Sequence, residues 1–82
     1  MGKITKRQTL TVLRKLQKFQ AEDCGKHNIS ITSYTNEKGR LWLAYNAIVC
    51  GEFFYGNCYE WREYEENLEM VENFIKTVRN NG

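Results

Sequence analysis

From Trp61 onward, apolar side chains return every three or four residues, at Trp61, Tyr64, Leu68, Val71, Ile75 and Val78. That spacing lays a stripe along one side of an α-helix. Asn57 and Glu60 stand three apart just ahead of it, in the pattern of a capping box. The stripe therefore predicts a helix over about 58–79, running out in Asn80-Asn81-Gly82. A second capping box, Thr5 with Gln8, opens the chain's other periodic stretch. There Leu10, Leu13, Leu16 or Gln17, and Gln20 recur at three to four residues, and Leu16 and Phe19 widen the stripe. Cys24-Gly25 closes it, since glycine takes the left-handed angles that end a helix, giving a first helix over about 5–23.

Between the helices the period changes to two. Ile29, Ile31, Ser33 and Thr35 alternate with Ser30, Thr32 and Tyr34, in a segment rich in Ile, Thr and Tyr. Asn36-Glu37-Lys38-Gly39 is a turn, and a positive φ at Gly39 in a three-residue loop pairs Asn36 with Arg40. Ile29, Ile31, Ser33 and Thr35 then face Ala47, Tyr45, Leu43 and Leu41 on one side of the ribbon, while Tyr34 faces Trp42 and Thr32 faces Ala44 on the other. Cys50-Gly51 forms a tighter hairpin that sets Phe53 opposite Ile48 and Phe54 opposite Ala47. Strands are expected over about 28–36, 40–49 and 52–56.

One α+β domain over 1–82 follows, in the order α-β-β-β-α. It is a two-layer sandwich in which two helices pack on one face of a three-stranded antiparallel sheet. A chain of this size buries only about 60–65% of the surface its unfolded form exposes. Its five Tyr, four Phe and two Trp offset that thin core, because each ring buries far more area than an aliphatic side chain.

The 82 residues are 41% hydrophobic and 27% charged, ordinary values for a globular chain. The longest apolar run, Ala47 to Cys50, is too short for a membrane span, and Met1-Gly2-Lys3-Ile4-Thr5-Lys6 carries neither an export signal nor a lipid-anchor pattern. Three cysteines at irregular spacing do not read as a disulfide framework, so reduced thiols in a cytoplasm are expected. The net charge of +2 conceals a division: residues 1–42 hold nine Lys and Arg against three Asp and Glu, and residues 43–82 hold three against seven.

Four surfaces bear on function. The first is the uncovered face of the sheet, which the register lines with Tyr34, Trp42, Phe53 and Tyr55; a contiguous exposed apolar patch of that kind marks an interface. The second is a basic stripe on the first helix, Arg7, Arg14 and Lys18, with Lys3 and Lys15 nearby, which suits phosphates if the sheet aromatics stack bases. The α-β-β-β-α order is similar to that of double-stranded RNA-binding domains in topology alone. Their last helix opens with lysines, whereas this one carries Glu60, Glu63, Glu65 and Glu66, which repel a phosphate backbone.

The third is the set Cys24, His27, Cys50 and Cys58. Cys24 and His27 have a zinc-like spacing, but seven residues separate Cys50 from Cys58, so no metal site is assigned. The fourth is a Cys-His pair around His27, for which the spacing supplies neither an orienting group nor an oxyanion hole. No catalytic residues, cofactor or small-molecule substrate are expected. The reading is a non-enzymatic module for a protein partner or a second copy, which would set basic half against acidic half; nucleic-acid binding through the first helix and the sheet is the alternative.

Overall fold

A computed structural model describes residues 3–59 and 61–81. Thr5 caps α1 (Lys6–Asp23) as the sequence predicts: its Oγ1 accepts from the Gln8 amide at 3.1 Å, and Gln8 Oε1 accepts from the Thr5 amide at 3.0 Å. Cys24, left-handed at φ 53°, ends the helix. The buried stripe is Thr9, Val12, Leu16 and Phe19. It is rotated from the expected one: Leu10 and Leu13 are only half-buried, and Gln17 and Gln20 are exposed. Leu16 and Phe19 fix the centre of the contact, and Thr9 can join them because its hydroxyl donates to the Thr5 carbonyl at 3.1 Å.

β1 (Ser30–Thr35), β2 (Leu41–Val49) and β3 (Glu52–Cys58) form an antiparallel sheet in the order β1-β2-β3. The register is the expected one, pairing Tyr34 with Trp42, Ile31 with Tyr45, Ala47 with Phe54 and Ile48 with Phe53. Both hairpins form as read. The Asn36 amide donates to the Arg40 carbonyl at 3.0 Å and the Gly39 amide to the Asn36 carbonyl at 2.9 Å, with Gly39 at φ 76°. Cys50 and Gly51, at φ 52° and 80°, make the mirror-type two-residue turn that matches strand twist.

The second helix departs from expectation. α2 spans Tyr64–Asn81, six residues later than predicted, and β3 runs on through Asn57 and Cys58 to pair with Ala44 and Leu43. Asn57 is therefore a strand residue and not a helix cap; Glu60 and Gly82 lie outside the described residues. The cause is Asn67, a fully buried side chain on α2. Its Oδ1 accepts from the Tyr59 amide at 3.2 Å and its Nδ2 donates to the carbonyls of Tyr59 at 3.0 Å and Arg62 at 3.4 Å. That amide satisfies backbone groups a helix would otherwise bond, and so holds the segment after β3 in a non-helical path.

Both helices cover one face of the sheet. Val12, Leu16 and Phe19 of α1 and Val71, Phe74, Ile75 and Val78 of α2 enclose Leu43, Tyr45, Ala47 and Val49 of β2. Phe74 meets Phe19 and Tyr45 edge-on, at ring-centre distances of 6.5 and 4.8 Å. Tyr45 reaches across β3 at Gly56, where an added Cβ would lie 2.6 Å from its hydroxyl and 2.7 Å from ring carbons. Burial pushes the Tyr45 phenol up to about 12 and the Cys58 thiol beside it up to about 11. Lys15 and Glu72 pair across the helices at 3.3 Å, as the opposite charges of α1 and α2 suggest, and Arg79 pairs with Glu22 at 3.0 Å. Such exposed pairs contribute about 0–1 kcal/mol each. Among the described residues no helix is long and apolar enough to cross a membrane.

Candidate protein-interaction face

Alternation along paired strands decides which side chains reach the uncovered face: Ser30, Thr32 and Tyr34 from β1, Trp42, Ala44, Asn46 and Ile48 from β2, and Phe53, Tyr55 and Asn57 from β3. None of these ten is charged. Two apolar groups stand toward opposite ends, with the row of Thr32, Ala44 and Asn57 between them, while Ser30 and Asn46 share their row with Tyr55.

At the Asn36 hairpin end the rings form a ladder. Tyr34 stacks on Trp42 at 4.2 Å, Trp42 stands 6.0 Å from Tyr59, and Tyr59 stacks on Trp61 at 4.1 Å. Arg62 closes it, with its guanidinium carbon 4.7 Å from the Tyr59 ring centre and Nη1 donating to the Asn57 carbonyl at 3.1 Å and to Met70 Sδ at 2.8 Å. Trp42 and Tyr59 are half-buried by their neighbours, while Trp61 is 62% exposed. At the Cys50-Gly51 end, Phe53 and Tyr55 lie 5.6 Å apart beside Ile48, and are 61% and 71% exposed. Large rings are ordinarily far better covered than this.

Comparison with known protein families, curated proteins and solved structures returns no match.

All four aromatic residues singled out in the sequence, Tyr34, Trp42, Phe53 and Tyr55, are on this face, but they form two groups and not one. Tyr59, Trp61 and Ile48 were missed. The strand period of two continues through Phe53, Tyr55, Asn57, Tyr59 and Trp61, which is the available signal, but Trp61 fits the helical stripe as well.

The basic candidates lie elsewhere. Arg7, Arg14 and Lys18 are exposed and, at about 100° per residue, sit roughly half a turn round α1 from its buried stripe. They point away from the sheet, on the far side of the molecule from the aromatic rings. Within the ladder, Trp42 and Tyr59 use their ring faces on neighbours, while Tyr34 and Trp61 end the stack.

Cys24 and Cys50 are exposed, Cys58 is buried beneath the helices, and none of the three is in a disulfide. His27 is held by Asp23, whose Oδ2 accepts from the His27 amide at 2.8 Å while Oδ1 bonds the ring Nδ1. Burial opposes ionisation of Asp23, but these bonds outweigh it and hold the carboxyl below the ordinary carboxylate range. Among the described residues, no three His, Cys, Asp or Glu side chains come together as metal ligands do.

Proposed function

We propose that this chain is a small non-enzymatic, intracellular protein-interaction module that docks, on a second copy or on another protein, through the open face of its sheet. The observation that supports this is a sheet face whose strand residues are uncharged and which has no second layer among the described residues, with Phe53 and Tyr55 on it, and Trp61 beside it, more than half exposed. Exposed rings bury large area at small cost in side-chain freedom, which makes them the usual anchors of protein contacts. The opposite charge of the two halves of the chain supplies orientation in the encounter, and the apolar face supplies the hold.

Because the face itself is uncharged, association through it is expected to persist as salt rises, whereas contact between basic and acidic halves would weaken. Sedimentation velocity across a salt series measures this. Concentration-dependent association that Phe53→Asp abolishes, with the fold intact by circular dichroism, supports the reading. A photo-crosslinking side chain at position 53 tests the arm in which the partner is another protein. A chain that stays monomeric to about 1 mM, and crosslinks to nothing in an extract of its host, contradicts both arms.

A further inference from the structure

β1 is an edge of the sheet, and among the described residues its only strand neighbour is β2. The hairpin fixes which of its backbone groups face out. The Asn36 amide donates to the Arg40 carbonyl, so, counting back by two, Tyr34, Thr32 and Ser30 turn theirs to Trp42, Ala44 and Asn46 of β2. Ile31, Ser33 and Thr35 therefore turn theirs outward, and among the described residues no backbone bond from elsewhere in the chain reaches them. An open row of amides and carbonyls is a template for another strand, which proteins ordinarily guard with a charge, a proline or a bulge. β1 has neither charge nor proline, and its pairing with β2 runs without a bulge. The other edge is guarded. On β3 the Val49 and Glu52 pair closes the Cys50-Gly51 turn, which leaves Phe53, Tyr55 and Asn57 facing out. There Arg62 already donates to the Asn57 carbonyl at 3.1 Å, and Glu52 puts a charge at the start of the strand.

What fits the β1 edge is a second β1. Turned antiparallel about Ser33, two copies set Ser33 opposite Ser33 and Ile31 opposite Thr35. The outward amides of each strand then meet the outward carbonyls of the other, and the edge is satisfied along its length. Odd residues meet odd residues, so the helix-covered sides coincide and the open faces run together. The flank of α1 above this edge suits the closure. Gln20 Nε2 donates to the Ile29 carbonyl at 2.8 Å, just ahead of β1. At about 100° per residue, Leu10, Leu13 and Gln17 share that flank, away from Lys15 and Glu22, which pair with α2. From Leu10 to Gln20 the flank is uncharged, and its two leucines are only half-buried. These residues belong to the stripe that the sequence predicts for α1 and that the core leaves partly uncovered. We propose that two copies of this chain pair through β1, antiparallel about Ser33, into one continuous sheet with the helices of both on one side. The dimer leaves the ring-lined faces open side by side and does not rest on their being a docking surface.

The test uses the Phe53→Asp chain, in which association through the open face is removed. Sedimentation equilibrium is expected to show a dimer with Kd below about 1 mM. Ser33→Pro removes one outward amide without touching the ladder to β2, and Ser33→Lys sets two like charges opposite each other; each should raise Kd by about tenfold or more. Arg14→Ala, on the outward side of α1, should leave Kd unchanged. Hydrogen exchange adds a signature residue by residue. Between about 20 μM and about 1 mM, exchange should slow at the amides of Ile31, Ser33 and Thr35, while Thr32 and Tyr34 stay protected at both concentrations. A Phe53→Asp chain that is monomeric to about 1 mM overturns the proposal. So does a dimer in which Ile31, Ser33 and Thr35 exchange as in the monomer, or whose Kd is unchanged by Ser33→Lys with the fold intact by circular dichroism. Association that Phe53→Asp abolishes supports the face and ends the edge; association that only the Ser33 variants abolish supports the edge and ends the second-copy arm of the face reading.

Discussion

On the helix side of β2, Leu43, Tyr45, Ala47 and Val49 are sealed beneath α1 and α2, while on the reverse Trp42, Ala44, Asn46 and Ile48 have no second layer above them. Both rows come from the same nine residues. The covered side is closed by aliphatic and aromatic side chains from two helices, whose burial at about 25 cal/mol per Å² of apolar area is the main source of folding free energy. The open side is closed only in part, and by its own rings: Trp42 and Tyr59 shelter between Tyr34, Trp61 and Arg62, but Phe53 and Tyr55 shelter under nothing. The difference separates residues that make the fold from residues the fold displays.

That division can be broken or sharpened by substitution. Leu43→Ala, at a site with no exposed surface, is expected to cost about 2–5 kcal/mol in urea denaturation, whereas Phe53→Ala, on the open side, should shift stability by no more than about 0.5 kcal/mol. Comparable losses at the two positions would erase the distinction. Asn67→Ala comes next, at about 2–3 kcal/mol, because it strands backbone groups of Tyr59 and Arg62. It should also release Trp61 from Tyr59, read as a change in tryptophan emission.

Gly56→Ala is expected to cost about 1–3 kcal/mol by forcing the Tyr45 ring from its place. Tyr45→Phe should not rescue it, since ring carbons collide as well as the hydroxyl, and Tyr45→Leu should do so in part. A double-mutant cycle measures the coupling.

The smallest effect belongs to Asp23. Its carboxyl ionises more readily in the folded chain than in the unfolded one, so the stabilisation is present above the unfolded value, near 3.8, and is lost as pH falls through the depressed folded value. Asp23→Asn should therefore flatten the acid limb of the stability curve between neutral pH and pH values below 3.8, in denaturation series at each pH.

Much of this was legible before any coordinates, and the reasons are physical. Hairpin register follows from loop length and from which residues tolerate positive φ, so Asn36 to Arg40 and Cys50-Gly51 set the register of both hairpins, though not the pairs that Asn57 and Cys58 make at the end of β3. The start of α2 was misread because Asn57 and Glu60 satisfy a capping box while Trp61 satisfies both a helical and a strand period. Local pattern could not choose between them; the bonds from Asn67 back to Tyr59 and Arg62 did. The stripe on α1 was displaced for a related reason, since Thr9 counts as polar until its hydroxyl finds the Thr5 carbonyl.

The central claim is that the ring-lined face, and not the outer side of the helix layer, makes contact with other molecules. Amide chemical shifts of the full chain, followed by nuclear magnetic resonance on dilution from about 1 mM to about 20 μM, test it most directly for self-association. The account predicts that shifts move at Tyr34, Trp42, Ile48, Phe53 and Tyr55 and stay fixed at Arg7, Arg14 and Lys18. Movement confined to α1 and α2, with the open face unchanged, would contradict it.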